Sequence, residues 1–154
     1  METKKILVLG DSESGKKTAL EHICDNLIKT EAVSYGKALM NSKKISIFSP
    51  SGAQRFRFMK DILSKNMDGA IIFIDNTQGM TSSCVEMIDF VKEKAVPCVI
   101  FANKQDLNDN PLNTNPADIP VVPTQAISGK GVTTGLNTLL ELMEHDYGSG
   151  ELKA

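Results

Sequence analysis

Lys5-Ile6-Leu7-Val8-Leu9-Gly10-Asp11-Ser12-Glu13-Ser14-Gly15-Lys16-Lys17-Thr18 is the stretch that anchors the reading of this chain. Its first five residues form a continuous apolar run, as a strand buried on both faces requires. The run stops at Gly10. A helical pattern opens at Gly15 and extends to Lys29, with Leu20, Ile23, Cys24, Leu27 and Ile28 at the three-and-four spacing of one face. Between strand and helix lies G-x-x-x-x-G-K, in the context that a phosphate-binding loop needs. Two glycines let the backbone curl so that successive N–H groups point at phosphate oxygens. The helix N-terminus adds its dipole, and Lys16 supplies a charge for the β- and γ-phosphates. Gly10, Asp11, Ser12, Glu13, Ser14, Gly15, Lys16, Lys17 and Thr18 are therefore candidate binding residues.

The position after Lys16 departs from that motif. A phosphate loop places a Ser or Thr there to ligate Mg²⁺, and this chain has Lys17. An ammonium cannot ligate a metal, and a second cation beside the site repels one. Thr18 carries a hydroxyl, but one step along a helix rotates it by about 100° from the metal position.

The rest of the chain alternates strand-length apolar runs with helix-length patterned segments. Ala38–Met40 and Ile45–Phe48 flank Asn41-Ser42-Lys43-Lys44 as a hairpin. Phe56–Lys65 reads as a helix, Ala70–Ile74 as a buried strand and Ser82–Lys94 as a second helix. Pro97–Phe101 and Val121–Val122 read as strands, and Thr134–His145 as the last helix. Asn108–Pro120 is rich in Asn, Pro and Asp and reads as a loop, at most with a helical turn around Ala117. This order predicts an α/β domain of three layers: a mostly parallel six-stranded sheet with one antiparallel edge strand, helices on both faces. Residues 1–147 form one domain, and 148–154 read as a flexible C-terminal tail.

Composition narrows the classes. At 154 residues the chain holds one ordinary domain, and with 5% aromatics its core must be aliphatic. A net charge of -2 argues against a nucleic-acid partner, which needs surplus positive charge. No run is long enough for a membrane span. Cys24, Cys84 and Cys98 are odd in number, far apart and without C-x-x-C spacing, which excludes a disulfide scaffold and a cysteine zinc site. They read as structural thiols of a cytoplasmic protein. His22 and His145 have no ligand-spaced partners. Asp75-Asn76, at a strand's end, could border the phosphate site but reads first as a loop cap.

Ala102-Asn103-Lys104-Gln105-Asp106 closes the strand at Pro97–Phe101. N-K-x-D after a late strand, downstream of a phosphate loop, resembles the guanine-recognition motif of the Ras-like small GTPases, nearest to their prokaryotic branch. The resemblance implies that Asp106 accepts from the guanine N1 and exocyclic amine, that Lys104 lies along the ring face, and that Asn103 ties this loop to the phosphate loop. A carboxylate facing two adjacent donors rejects adenine, which offers an acceptor there. Thr124-Gln125-Ala126-Ile127 resembles the family's third base-contacting segment, with Ala126 offering its N–H to guanine O6 and Gln125 in place of the usual Ser.

Ser49-Pro50-Ser51-Gly52-Ala53-Gln54-Arg55-Phe56 resembles the family's D-x-x-G-Q-x-R-F. Gly52, Arg55 and Phe56 match, and the Gly52 N–H remains available to a γ-phosphate. Ser49 replaces the Asp of the Mg²⁺ shell, and Ala53 replaces the Gln that orients the attacking water; Gln54 is displaced by one. The family's switch segment supplies a Thr to the metal and the γ-phosphate, for which Thr30 is the one candidate Thr, with Ser34 behind it. Thr18 and Thr30 are thus the remaining metal-ligand candidates.

The resemblance implies a guanine-nucleotide (GTP/GDP) binding, switch-like or regulatory protein. Its hydrolysis is expected to be impaired, because phosphoryl transfer depends on the metal and on positioning. Two alternatives stand beside it: a slow, active GTPase completed by a partner, and a nucleotide-free scaffold for protein contacts. The loop and helix at residues 49–60, with Arg55-Phe56-Arg57-Phe58, are the candidate partner surface.

Overall fold

The computed structural model describes residues 3–112 and 118–153. The anchoring run becomes β1 (Thr3–Gly10), with Ile6 to Leu9 completely buried. Ile6 and Val8 point into one apolar cluster, Leu7 and Leu9 into another on the opposite face. One face is covered by α1 (Lys16–Ile23) and α4 (Val132–Lys153), the other by α2 (Ala53–Leu63) and α3 (Ser82–Lys94). Three layers result, as expected.

The sheet has seven strands rather than six. β2 (Ile28–Lys29), β3 (Val33–Met40), β4 (Lys43–Pro50), β5 (Gly69–Asp75), β6 (Cys98–Asn103) and β7 (Val121–Pro123) join β1 in the order β2-β3-β4-β1-β5-β6-β7. β4, β1, β5, β6 and β7 run parallel, whereas β2 and β3 are antiparallel to their neighbours. β3 is thus the one strand reversed against the parallel set, as expected, and β2 extends that edge by a second antiparallel pairing.

The extra strand comes from the segment expected as helix to Lys29. Helix α1 ends at Ile23, and Cys24 is already extended, with φ -96° and ψ 137°. Asp25 and Asn26, residues that favour turns, release the chain into β2. Cys24 and Leu27 keep their core contacts nonetheless. A Cβ at Gly36 of β3 would come within 2.6 Å of Cys24 Sγ, so this residue must be glycine for the connection to lie close.

Elsewhere the boundaries move little. The hairpin strands are longer than expected, α2 begins three residues early at Ala53, and α4 is assigned to Lys153, past the end expected at His145. The turn expected around Ala117 lies outside the described residues. Cys24, Cys84 and Cys98 are unpaired thiols, and burial raises the pKa of each. Among the described residues no helix is long and apolar enough to cross a membrane, and no three His, Cys, Asp or Glu side chains converge as a metal cluster.

Candidate functional site

Because β4, β1, β5, β6 and β7 run parallel, the loops following them collect at one edge of the sheet. Open α/β sheets hold ligands there. A cavity of about 580 Å³ lies along that edge. Ser12, Glu13, Gly15, Lys16, Lys17 and Thr18 line it after β1; Asn103, Lys104, Asp106 and Leu107 line it after β6. Ala126 and Ile127 contribute from the loop after β7, and Ser34, Ser49, Pro50 and Ser51 from the β3–β4 side. Gly10, Asp11, Ser14, Gly52, Gln125, Ala53 and Thr30 are not among the lining residues.

The loop after β1 adopts the curl its glycines imply. Glu13 and Gly15 both have left-handed backbones, with φ of 62° and 100°. A Cβ on Gly15 would lie 2.1 Å from Asn103 Nδ2, so packing and φ both demand glycine. Gly15 also caps α1 with no side-chain hydrogen bond and no acid in the first turn. The first-turn N–H groups therefore stay available as anion donors.

Lys16 is buried against its own loop. Its Nζ donates to Gly10 O at 2.8 Å, Asp11 O at 2.7 Å and Ser14 Oγ at 3.3 Å. Burial lowers its pKa to about 8; the Asp11 charge opposes that fall, and Lys17 adds to it. The Asp11 carboxylate is turned to the start of α3, accepting from Thr81 Oγ1 at 2.6 Å. Thr81 is the N-cap of that helix.

Asn103 is the hub. Its Nδ2 donates to Ser14 O at 2.8 Å, and its Oδ1 accepts from Thr124 Oγ1 at 2.9 Å and Ala126 N at 3.0 Å. Three loops are thereby joined through one buried amide, including the link to the phosphate loop that the resemblance implied. The Ala126 N–H is consequently engaged with Asn103. Gln125 pairs by its backbone with Lys130, closing the loop before α4.

Asp75, at the end of β5, accepts from Thr77 N and Oγ1 as the loop cap expected of it. It also accepts from Lys104 Nζ at 2.8 Å, which orients the lysine. Burial works against the Asp75 carboxylate, but the bonds from Lys104 and Thr77 outweigh it and hold the pKa below the usual range. Asp106 is exposed on the cavity wall beside Leu107 and Ile127, which are 69% and 77% exposed.

The lining offers a Mg²⁺ ion few carboxylate ligands. The cavity's carboxylates are Glu13 and Asp106, the latter beyond Asn103 from the phosphate loop, while Lys16 and Lys17 bring two cations to the loop itself. Thr30 is committed to a turn, its Oγ1 donating to Val33 O and accepting from Val33 N.

Sequence reasoning missed Leu107 and ranked Asp75 and Asn76 as loop caps ahead of a place bordering the site. Buried Asn76 donates to Asn108 O and Asn110 O and so braces the loop after Asn103. Leu107 adds apolar wall, and Asp75 sets Lys104. A polar residue at the end of a buried strand was the available signal for Asp75 and Asn76; nothing in the local pattern marked Leu107.

Comparison with known proteins gives a consistent set. The model of the ADP-ribosylation factor family matches residues 1–143. An uncharacterized protein of Methanocaldococcus jannaschii is 34% identical over 111 residues, spanning 68% of this chain and 72% of that protein. Translation initiation factor IF-2 of Alkaliphilus metalliredigens is 25% identical over 159 residues, spanning 90% of this chain and 22% of the factor. Among solved structures, elongation factor SelB from Methanococcus maripaludis, in complex with the GTP analogue GPPNHP, gives a TM-score of 0.76 at 16% identity. That match covers 94% of this chain and 35% of SelB. The Arl6 small GTPase from Trypanosoma brucei, with bound GppNp, gives 0.68 at 18% identity, covering 94% of this chain and 99% of Arl6.

Proposed function

The chain belongs to the ADP-ribosylation factor family, and from that premise we propose that it binds guanine nucleotide as a switch-like or regulatory protein whose GTP hydrolysis is impaired. The observation that carries the reading is the Asn103 hub. It joins the phosphate loop to the Lys104–Asp106 turn in one cavity, while Lys17, Ser49 and Ala53 stand in the sequence where the family resemblance expects metal ligands and the water-orienting Gln.

Each retained residue has a role. The first-turn N–H groups of α1 bind phosphate oxygens, and Lys16 leaves the loop carbonyls to do the same. The Lys104 stem lies along the base, steadied by Asp75, and the Asp106 carboxylate accepts from two adjacent guanine donors. With Ser49 and Ala53 at those positions, the described residues lack the metal-shell acid and the water-orienting Gln that the family resemblance expects there. Binding is kept and turnover is slow. The related M. maripaludis and T. brucei structures contain GTP analogues, which supports the nucleotide class. Three unpaired thiols fit the reducing cytoplasm.

Titration calorimetry with GDP, GTP and ATP, each with Mg²⁺ and with chelator, tests this. Guanine nucleotides bind, ATP does not, chelation changes affinity little, and single-turnover hydrolysis falls below that of an ordinary small GTPase. A sharp loss of affinity on chelation, or ordinary turnover, defeats the impaired-hydrolysis reading. A nucleotide-free scaffold is the second reading, favoured by the internal bonds that satisfy Lys16 and Asn103 without a ligand. Its docking face would be α2, where Phe58 and Ile62 are 78% and 74% exposed. Absence of any thermal shift with GDP or GTP would select it.

A further inference from the structure

Asp11 is an acid in a loop built to hold anions, where a carboxylate facing the ligand would repel it. The structure turns it away, and it is not among the residues lining the cavity. Its Oδ2 accepts from Thr81 Oγ1 at 2.6 Å and from the Cys84 thiol at 3.8 Å. Thr81 is the N-cap of α3, and its Oγ1 also accepts from Cys84 N at 3.2 Å. No residue in the first turn of α3 is acidic. The negative charge that favours a helix N-terminus reaches α3 from the phosphate loop, 70 positions away in the chain.

Asp11 is anchored at both ends. Its carboxylate is on α3, and its backbone carbonyl accepts from Lys16 Nζ at 2.7 Å. In the ligand-free protein Lys16 closes the loop through Gly10 O, Asp11 O and Ser14 Oγ. A phosphate that draws this ammonium to itself removes those internal bonds together. Asn103 still holds the far end of the loop through Ser14 O. At the near end, among the described residues, Asp11 is the one side chain of positions 11–13 that is hydrogen-bonded outside the loop. The tether to Thr81 is therefore what remains there once Lys16 has left.

We propose that Asp11 is a positioning residue: its carboxylate, held by the α3 cap, keeps the first half of the phosphate loop in shape when Lys16 turns to the phosphate, and so couples nucleotide occupancy to the first turn of α3. The proposal rests on the nucleotide reading above and deepens it. The coupling is reciprocal: phosphate binding steadies the Thr81 cap, and loosening the cap weakens phosphate.

The test titrates wild type, Asp11→Ala, Asp11→Asn, Thr81→Val, Thr81→Ser and the double variant Asp11→Ala with Thr81→Val against GDP, ADP and inorganic tripolyphosphate, all in chelator. Asp11→Ala and Thr81→Val should each weaken GDP and tripolyphosphate by about tenfold, and the double variant no further. Asp11→Asn and Thr81→Ser keep an acceptor and a hydroxyl in place and should bind within about threefold of wild type. Hydrogen exchange supplies the second readout. Tripolyphosphate and GDP should slow exchange at the Cys84 and Val85 amides of wild type and leave them unchanged in Asp11→Ala. A role confined to capping α3 would lower the melting temperature without these effects. Unchanged affinity in Asp11→Ala overturns the proposal while the nucleotide reading stands; so do additive losses in the double variant, or α3 protection that survives in Asp11→Ala. If wild type binds GDP no better than ADP, yet tripolyphosphate binding depends on Asp11 and Thr81 as stated, the guanine reading fails and the positioning role stands. Binding of none of the three by wild type overturns it.

Discussion

Lys16 carries a charge whose cost should be measurable. Its ammonium is 5% exposed and held by Gly10 O, Asp11 O and Ser14 Oγ. The fall from the ordinary 10.5 to about 8 corresponds to about 3 kcal/mol by which burial disfavours the charged form. In ligand-free protein between pH 8 and 10.5, the unfolded chain keeps this proton and the folded chain sheds it. We therefore predict that stability rises with pH through that window, is fully present above 10.5, and is lost below 8. Anionic phosphate against Nζ pulls the proton back. Nucleotide binding should then take up about half a proton at pH 8 and about 0.1 at pH 7, with affinity falling roughly tenfold per pH unit above 8.

Two assays read this. Calorimetry of GDP binding at pH 7, 8 and 8.5, in buffers of different ionisation enthalpy, gives proton uptake directly. Denaturant unfolding of ligand-free wild type and Lys16→Met, from pH 7 to 10, gives the stability arm whether or not the variant binds. The variant's stability relative to wild type should shrink by about 1.4 kcal/mol per pH unit above pH 8. A pH-independent difference between the two proteins, together with no proton uptake at pH 8, would refute the reasoning.

Three further outcomes are predicted. Asn103→Ala strips partners from Ser14 O, Thr124 Oγ1 and Ala126 N and should cost about 3–5 kcal/mol in urea unfolding. Gly15→Ala places a Cβ 2.1 Å from Asn103 Nδ2 on a left-handed backbone; it should destabilise by at least about 2 kcal/mol and weaken nucleotide in titration more than Glu13→Ala does. The pair Lys17→Ser and Ser49→Asp together should make GTP affinity fall on chelation, while neither does so alone; an unaltered response in the double variant counts against these positions as the missing metal site.

Local signals carried α3 and β5 well. Helix α3 runs over Ser82–Lys94 as the spacing predicts, because Thr81 caps it by accepting from Cys84 N and Ala95 ends it in the left-handed region. The apolar run ending at Asp75 is the buried centre of the sheet. Leu20–Ile28 misled for a physical reason: core contacts of Cys24 and Leu27 fall at helical spacing even though Asp25-Asn26 have already turned the chain into β2. In the site, the glycine and lysine pattern names its own chemistry within one short segment. The Asn103 link came from family resemblance. Asp75 with Lys104 and Asp11 with Thr81 join distant parts of the chain, and tertiary packing alone brings them together.

Internal partners separate what the fold keeps from what a ligand keeps. Lys16 closes its loop, Asn103 joins three loops, Lys104 pairs with Asp75, and the left-handed glycine sets the start of α1. A scaffold without nucleotide would retain all of these for stability. Among the described residues, the Asp106 carboxylate and the Thr18 and Ser34 hydroxyls accept or donate no such bond, yet all three line the cavity. Exposed Asp106 costs the fold little in that state, and so does Thr18. Buried Ser34 does not share that excuse, since alanine in its place would spare the fold an unpaired hydroxyl. Its presence weighs toward a ligand at that end of the cavity.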